Sequence, residues 1–220
     1  SSWPVKVDLI HNPLVDVGEL SKASHLIKKE KIILSVGRFF RQLHSKRQDV
    51  LIDVFRKLVT KYPTETKGWK LVFIGSVEDK EYLSAVKRKK RGLPVEFYHD
   101  LDRKELLDWY AKASIYWHAA GFNVDQEKHP EKVEHFGIST AEAMSAGCVP
   151  VVHGKGGQLE VLGEKLINLL WNDEDECLEK TKQVMSSEKL RSKYQGIARK
   201  QVKNFDLNVF EKKLFDMINS

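Results

Sequence analysis

The sequence predicts an α/β fold built on a doubly wound parallel sheet. Three observations point to it. From residue 31 onward, short apolar runs alternate regularly with amphipathic segments of helical period, the pattern of strands joined by crossover helices. The run Cys148 to Val152 is almost wholly apolar and bounded by glycines, as a buried strand is. With 220 residues, 41% of them hydrophobic, the chain can bury a full core and is most economically one α/β domain.

In chain order, Ser1 to Ser24 has no clean period and holds a short extended run, Val7 to Asp16, broken by the turn signal Asn12-Pro13. Lys31 to Gly37 reads as the first strand. Val50 to Thr60 follows as an amphipathic helix, with apolar residues at 50, 51, 54, 55 and 58. Trp69 to Gly75 is the second strand, Asp79 to Lys90 a helix, Val95 to Tyr98 the third strand, Asp102 to Ala111 a helix and Ser114 to His118 the fourth strand. Later come a strand at Leu166 to Leu170, a helix opened by Asn172 or Asp173, and helices to the end. The last, Asp206 to Ile218, is amphipathic through Leu207, Phe210, Leu214, Phe215 and Ile218.

The 37 Lys and Arg against 31 Asp and Glu give a net charge of +6, which favours anionic partners: a nucleotide, a phosphorylated lipid, an acidic membrane surface or nucleic acid. The basic run Lys87 to Arg91 has no neighbouring stacking aromatics and lies at a predicted helix end, where cations complement the dipole, so nucleic acid is not expected. Cys148 and Cys177 offer no disulfide framework and no metal-ligand spacing, which makes a reducing, cytoplasmic setting the expectation. No run approaches the roughly 18 to 20 apolar residues of a membrane span and no charged-then-apolar leader opens the chain, so the piece reads as soluble.

The most informative stretch runs from Glu134 to Gly157. Ser139 suits a helix N-cap, Glu142 three residues on completes a capping box, and Gly147 suits the C′ stop. A glutamate before the helix, Gly137 baring backbone N–H groups at its positive end, and a second glutamate in its first turn suit a sugar linked to a diphosphate. The first strand ends in Gly37-Arg38, and the basic loop to Asp49 follows. An arginine fork and a lysine point charge at a strand end are suited to stabilising a diphosphate leaving group, although charge runs are more often solvated surface. His118 ends the fourth strand and points to the same rim, which makes it a candidate for the donor site, although a satisfied core histidine is the commoner case. The polar insert Gly121 to Val133 contains Asn123, Asp125 and His129, whose irregular spacing argues for a mobile loop over the site rather than a metal cluster. No dinucleotide fingerprint, P-loop or nucleophile elbow is present.

Glu134-His135-Phe136-Gly137 with Glu142, seven residues lying between the glutamates, resembles the donor-binding signature of retaining, GT-B-fold glycosyltransferases of family 4 (group 1). Gly156-Gly157 with Glu160 fits the segment that follows; His135 departs from the small residue usual there. The resemblance covers roughly residues 5 to 220 and implies the C-terminal half of a two-domain enzyme. Residues 1–24 would then be a linker remnant, 25–204 the nucleotide-sugar-binding domain, and 205–220 a terminal helix crossing to a missing N-terminal domain or packed on its own sheet. It implies that Glu134 meets donor-sugar hydroxyls and Glu142 the ribose, although a capping-box glutamate needs no ligand. Phe136, Gly137 and Ile138 would face sugar or phosphate, with Gly156 and Gly157 beside them. The family places an arginine directly after Gly37 and a lysine further on, which assigns Arg38 and Lys46 to the diphosphate, with Arg41 and Arg47 as competitors for the lysine's part. Gly75 and His99 lie where the family cradles the base. The implied reaction moves a hexose, mannose among the candidates, from UDP or GDP to a lipid-linked, saccharide or other acceptor held by the missing domain. No cofactor or metal is required, turnover by this chain alone is slow or absent, and peripheral contact with an anionic membrane would serve a lipid-linked acceptor. A sugar-nucleotide epimerase of the same fold, a sugar phosphorylase, and a non-catalytic basic module for anionic lipid or nucleic acid are the rival readings.

Overall fold

The computed structural model describes residues 17–25, 27–42 and 45–219. The extended run Val7 to Asp16, the start of the expected linker, lies outside them. Six parallel strands form one sheet in the order 3-2-1-4-5-6: β1 (Glu30–Val36), β2 (Lys70–Ile74), β3 (Val95–Tyr98), β4 (Ala113–His118), β5 (Val149–His153) and β6 (Leu170–Trp171). The predicted doubly wound parallel sheet is the sheet observed. The strand order reverses between β1 and β4, so the crevice for a ligand opens beyond Val36 and His118.

The helices cover both faces. They are α1 (Val17–His25), α2 (Gln48–Lys61), α3 (Lys80–Lys89), α4 (Arg103–Lys112), α5 (Ile138–Ser145), α6 (Gln158–Leu162), α7 (Glu174–Ser186), α8 (Glu188–Gln201) and α9 (Leu207–Ile218). β4 and β5 are buried at every position, which is why they read as continuous apolar runs rather than alternating ones. α2 presents Val50, Leu51, Val54, Phe55 and Leu58 to the core, and Phe55 meets Trp117 edge-on at 6.3 Å. The Trp117 indole donates to Thr181 Oγ1 of α7 at 3.0 Å, satisfying the one polar atom that so large a buried ring carries.

Asp79, Asp102 and Asp173 cap α3, α4 and α7 as their positions in the sequence suggest; at α4 the Asp102 and Glu105 side chains close a full capping box.

One strand expectation is corrected, and the two ends of the described chain add detail. The run Leu166 to Leu170 is not a strand: Glu164–Leu169 form a 3₁₀ turn, and only Leu170–Trp171 join the sheet. Leu166 and Leu169 are buried while Ile167 is 57% exposed, a three-residue period that fits 3₁₀ geometry and that a short apolar run does not distinguish from a strand. α1 lies in a segment without visible period; it packs on α4 and α5 and buries Val17 and Leu20. α9 has no fully buried residue: Leu207, Leu214, Phe215 and Ile218 are exposed, while Val209, Phe210 and Met217 are half-buried.

Candidate functional site

A cleft of about 400 Å³ opens at the crevice between the carboxyl ends of β1 and β4. Val36, Gly37 and Arg38 leave β1 along one wall, Lys46 overhangs it, and Glu134, His135 and Phe136 lead into α5, whose Ile138, Ser139 and Glu142 close the other side. Seven residues singled out in the sequence thus line one space: Gly37, Arg38, Lys46, Glu134, Phe136, Ile138 and Glu142.

The start of α5 differs from expectation. Gly137, not Ser139, occupies the N-cap, at φ 105°, and no side chain caps the helix. Ser139 lies within the first turn, and its Oγ accepts from the Tyr116 hydroxyl at 2.7 Å. Glu142 is therefore no capping-box residue. A side chain at Gly137 would strain that φ, and its Cβ would stand 2.9 Å from the Gln158 amide nitrogen. With the first helical bond running from Ala141 to the Gly137 carbonyl, the N–H groups of Ile138, Ser139 and Thr140 have no acceptor inside the helix. They form the positive end of α5. The C-terminal end is as expected: Gly147 takes φ 78°, and Gly147 and Cys148 donate to Met144 and Ala143 in a Schellman closure.

Glu142, 6% exposed, accepts from Arg103 at 2.7 Å on Oε1 and from the Tyr110 hydroxyl at 2.9 Å on Oε2. Burial, then the Glu142 charge, push the Tyr110 hydroxyl far above its ordinary pKa, so it remains a donor. Arg103 also reaches Glu19 of α1 at 3.6 Å.

Glu134 is paired with Lys46, and His118 Nε2 stands 3.0 Å from the same oxygen, Oε2. Burial acts to raise the Glu134 pKa, but the His118 hydrogen bond and the Lys46 charge outweigh it and hold the carboxyl well below the usual carboxylate range. His118 is shifted down by burial, with the Lys46 charge adding to the effect against Glu134, so the imidazole is neutral near pH 7. It lies behind Glu134 rather than on the cleft wall.

The loop cations separate. Lys46 reaches the cleft. Arg41 instead lies 3.7 Å from Asp79 and over the Tyr82 ring, while Arg47, the α2 N-cap in left-handed conformation, holds Asp49 and donates to the Phe122 carbonyl at 2.8 Å. Arg38 meets Glu78 at 3.0 Å.

The remaining candidates stand apart from the cleft wall. Gly75 serves close strand approach, since a Cβ there would lie 2.0 Å from the Gly37 carbonyl oxygen. His99 follows β3, two strands from β1, and pairs with Asp100 at 2.8 Å. Gly156 and Gly157 pack beneath the site, and Gly157 N–H donates to the Glu134 carbonyl at 2.8 Å.

The insert Gly121 to Val133 is pinned at its base by Arg47, by Lys155 donating to the Val124 carbonyl, and by buried Phe122 and Val133. Its Asp125 turns back onto the N–H of Glu127 at 3.1 Å, and among the described residues no group of His, Cys, Asp and Glu is arranged to hold a metal. Sequence reasoning missed Glu78, Arg103, Tyr110 and Gln158. Glu78, Arg103 and Tyr110 sit in no motif, Gln158 lies between the Gly157 and Glu160 already singled out, and each reaches the site only through the tertiary fold.

The family model "Glycosyl transferases group 1" matches residues 17–201. Over 144 residues the chain is 31% identical to the GDP-Man:Man(3)GlcNAc(2)-PP-Dol alpha-1,2-mannosyltransferase of Xenopus tropicalis, covering 63% of this chain and 27% of that protein. The protein of the same name from Homo sapiens is 31% identical over 134 residues, covering 57% and 24%. The alignments thus span about a quarter of these relatives' length. Among solved structures, Anabaena Alr3699/HepE in complex with UDP and glucose superposes with a TM-score of 0.67 at 17% identity, over 97% of this chain and 56% of that one. A structure described as trehalose-6-phosphate from E. coli bound with UDP-2-fluoro glucose gives 0.68 at 15% identity, over 92% and 49%. At such identities these likenesses establish the fold.

Proposed function

The chain belongs to the group 1 family of glycosyl transferases, and on that footing we propose that it is the donor-binding half of a retaining hexosyltransferase using a nucleoside diphosphate sugar. GDP-mannose is the donor the reading favours, because the named relatives are GDP-Man-dependent mannosyltransferases. One observation carries it: a buried and a half-buried carboxylate, two cations and the free N–H groups of α5 converge on a single cleft at the strand-order reversal.

In this reading the diphosphate lies against the positive end of α5 and takes Arg38 and Lys46 from their carboxylate partners. Negative charge grows on the leaving group as the glycosidic bond breaks, and these fixed donors stabilise it most at that point. Glu142, held by Arg103 and Tyr110, accepts from the ribose hydroxyls; Glu134 accepts from donor-sugar hydroxyls. The chain's own cations offset the leaving-group charge, so the reading calls on no metal. The acceptor docks on a further domain, against which the exposed apolar face of α9 would pack, and the PP-Dol in the relatives' names favours a lipid-linked acceptor at a membrane. Among the described residues no helix is long and apolar enough to cross a membrane.

Calorimetric titration of the chain with GDP, GDP-mannose, UDP, UDP-glucose and ADP tests the proposal. Micromolar binding of a guanine nucleotide, lost in Arg38→Ala and unaffected by EDTA, is expected. Failure of all five to bind would overturn the reading for this chain.

A further inference from the structure

The following inference rests on Glu134 as the donor-sugar contact. At the end of β4 the His118 ring is 1% exposed and touches two polar side chains: Nε2 lies 3.0 Å from Glu134 Oε2, and Nδ1 lies 3.3 Å from Gln158 Nε2. The Gln158 nitrogen can only donate, so Nδ1 is the acceptor and the ring proton sits on Nε2, facing Glu134. The opposite amide orientation fails on charge. It would take the proton to Nδ1 and set the Nε2 lone pair against an anionic oxygen.

The contact to Glu134 is close but oblique. A neutral imidazole suits the place. It orients a carboxylate by hydrogen bonding without cancelling the charge needed to accept from a sugar hydroxyl, while Lys46 holds the same oxygen from the cleft side. Gln158 is fully buried, and its Oε1 has no partner among the described residues, so the amide is retained there at a desolvation cost that core packing alone does not explain. It also follows directly on Gly157, whose N–H holds the Glu134 carbonyl. One short segment therefore fixes the backbone of Glu134 and, through His118, its carboxylate.

We propose that His118 and Gln158 are positioning residues: Gln158 sets the His118 tautomer, and His118 Nε2–H aims Glu134 at the donor sugar. Neither touches the donor. Their effect falls on the sugar and spares the nucleoside diphosphate.

Two measurements on this chain test the proposal. Imidazole ¹⁵N NMR at pH 7 reads the tautomer with no donor present. The expected result is a neutral His118 protonated on Nε2, and a change to the Nδ1–H form or the imidazolium in Gln158→Glu. A wild-type Nδ1–H tautomer would overturn the proposal whatever the donor. Calorimetry then compares GDP-mannose with GDP. Gln158→Glu and His118→Phe should each reduce the affinity gained from the mannosyl group about tenfold, roughly 1.4 kcal/mol, while GDP binds within twofold of wild type; His118→Gln, which keeps an N–H donor, should recover part of the gain. Equal loss of GDP and GDP-mannose, or an unchanged gain in Gln158→Glu, would sink the positioning role. If instead Glu134→Gln leaves the gain unchanged, the assignment of Glu134 itself has failed and the inference falls with it.

Discussion

Arg38 and Glu78 face each other across 3.0 Å at the cleft mouth, so a cation assigned to the donor diphosphate already holds a carboxylate of this chain. Both side chains are well exposed, at 50% and 37%, and such a pair contributes no more than about 1 kcal/mol. A diphosphate, with more charge and a bidentate geometry, replaces it readily. Glu78→Gln should therefore tighten GDP binding by up to about fivefold at low salt, and raising the ionic strength should shrink the gain. Weaker binding in this variant would mean that Glu78 places Arg38 rather than competing for it.

Removing the cation has the larger effect. A charge-assisted hydrogen bond contributes about 1.5 to 3 kcal/mol. Arg38→Ala should thus weaken GDP roughly 10- to 100-fold by calorimetry with little change in melting temperature, since Arg38 is a solvent-facing residue of the fold.

Glu142 should behave otherwise, because the proposed site makes it a nucleotide contact and the fold makes it a buried hydrogen-bond acceptor. Its loss leaves the buried Tyr110 hydroxyl without its acceptor, at about 1 to 3 kcal/mol, while Arg103, 38% exposed, keeps Glu19 and water. Urea unfolding of Glu142→Ala should show a loss in this range, with Glu142→Gln keeping most of the stability and still losing nucleotide affinity. Unchanged stability in the alanine variant would show that the Tyr110 hydroxyl finds another partner.

His153 sets a pH response. Burial, offset in part by the hydrogen bond it gives to the Trp171 carbonyl, pulls its pKa down to about 4 from 6.5. The unfolded chain then binds the proton more readily than the folded one between these values. Stability is complete above about pH 6.5 and falls as the pH drops toward 4, by at most about 3 kcal/mol from this group. Urea midpoints at pH 7 and 4.5 should differ less in His153→Gln than in wild type. An identical pH dependence in the two would remove His153 as the cause.

On α9, Phe215→Ser and Ile218→Ser should leave the stability of this chain within about 0.5 kcal/mol, since both side chains are exposed, at 68% and 73%. A larger loss on chemical denaturation would show that the helix is docked in solution.

The sequence by itself determined five of the six strands, most of the helices, and the residue types that meet at the cleft. Strand β3 is found at Val95–Tyr98, the boundaries its pattern predicts, and Asp79, Asp102 and Asp173 mark their helix starts, because periodicity and capping depend on neighbours a few residues apart. The local signal failed where two structures share it. The capping-box pattern at Ser139 yielded to a Gly137 cap, and the apolar run at 166 coiled into 3₁₀ before reaching the sheet. What only the tertiary structure decided is the choice of partners: Lys46 for Glu134 across 88 residues, Arg103 for Glu142 across 39, and Gln158 for His118 across 40. Arg41, Lys46 and Arg47 are alike in a one-dimensional reading. The strand order and the left-handed turn at Arg47 send one to the cleft and two away from it, since pairing of side chains is set by where the sheet brings separate segments together, which no local pattern encodes.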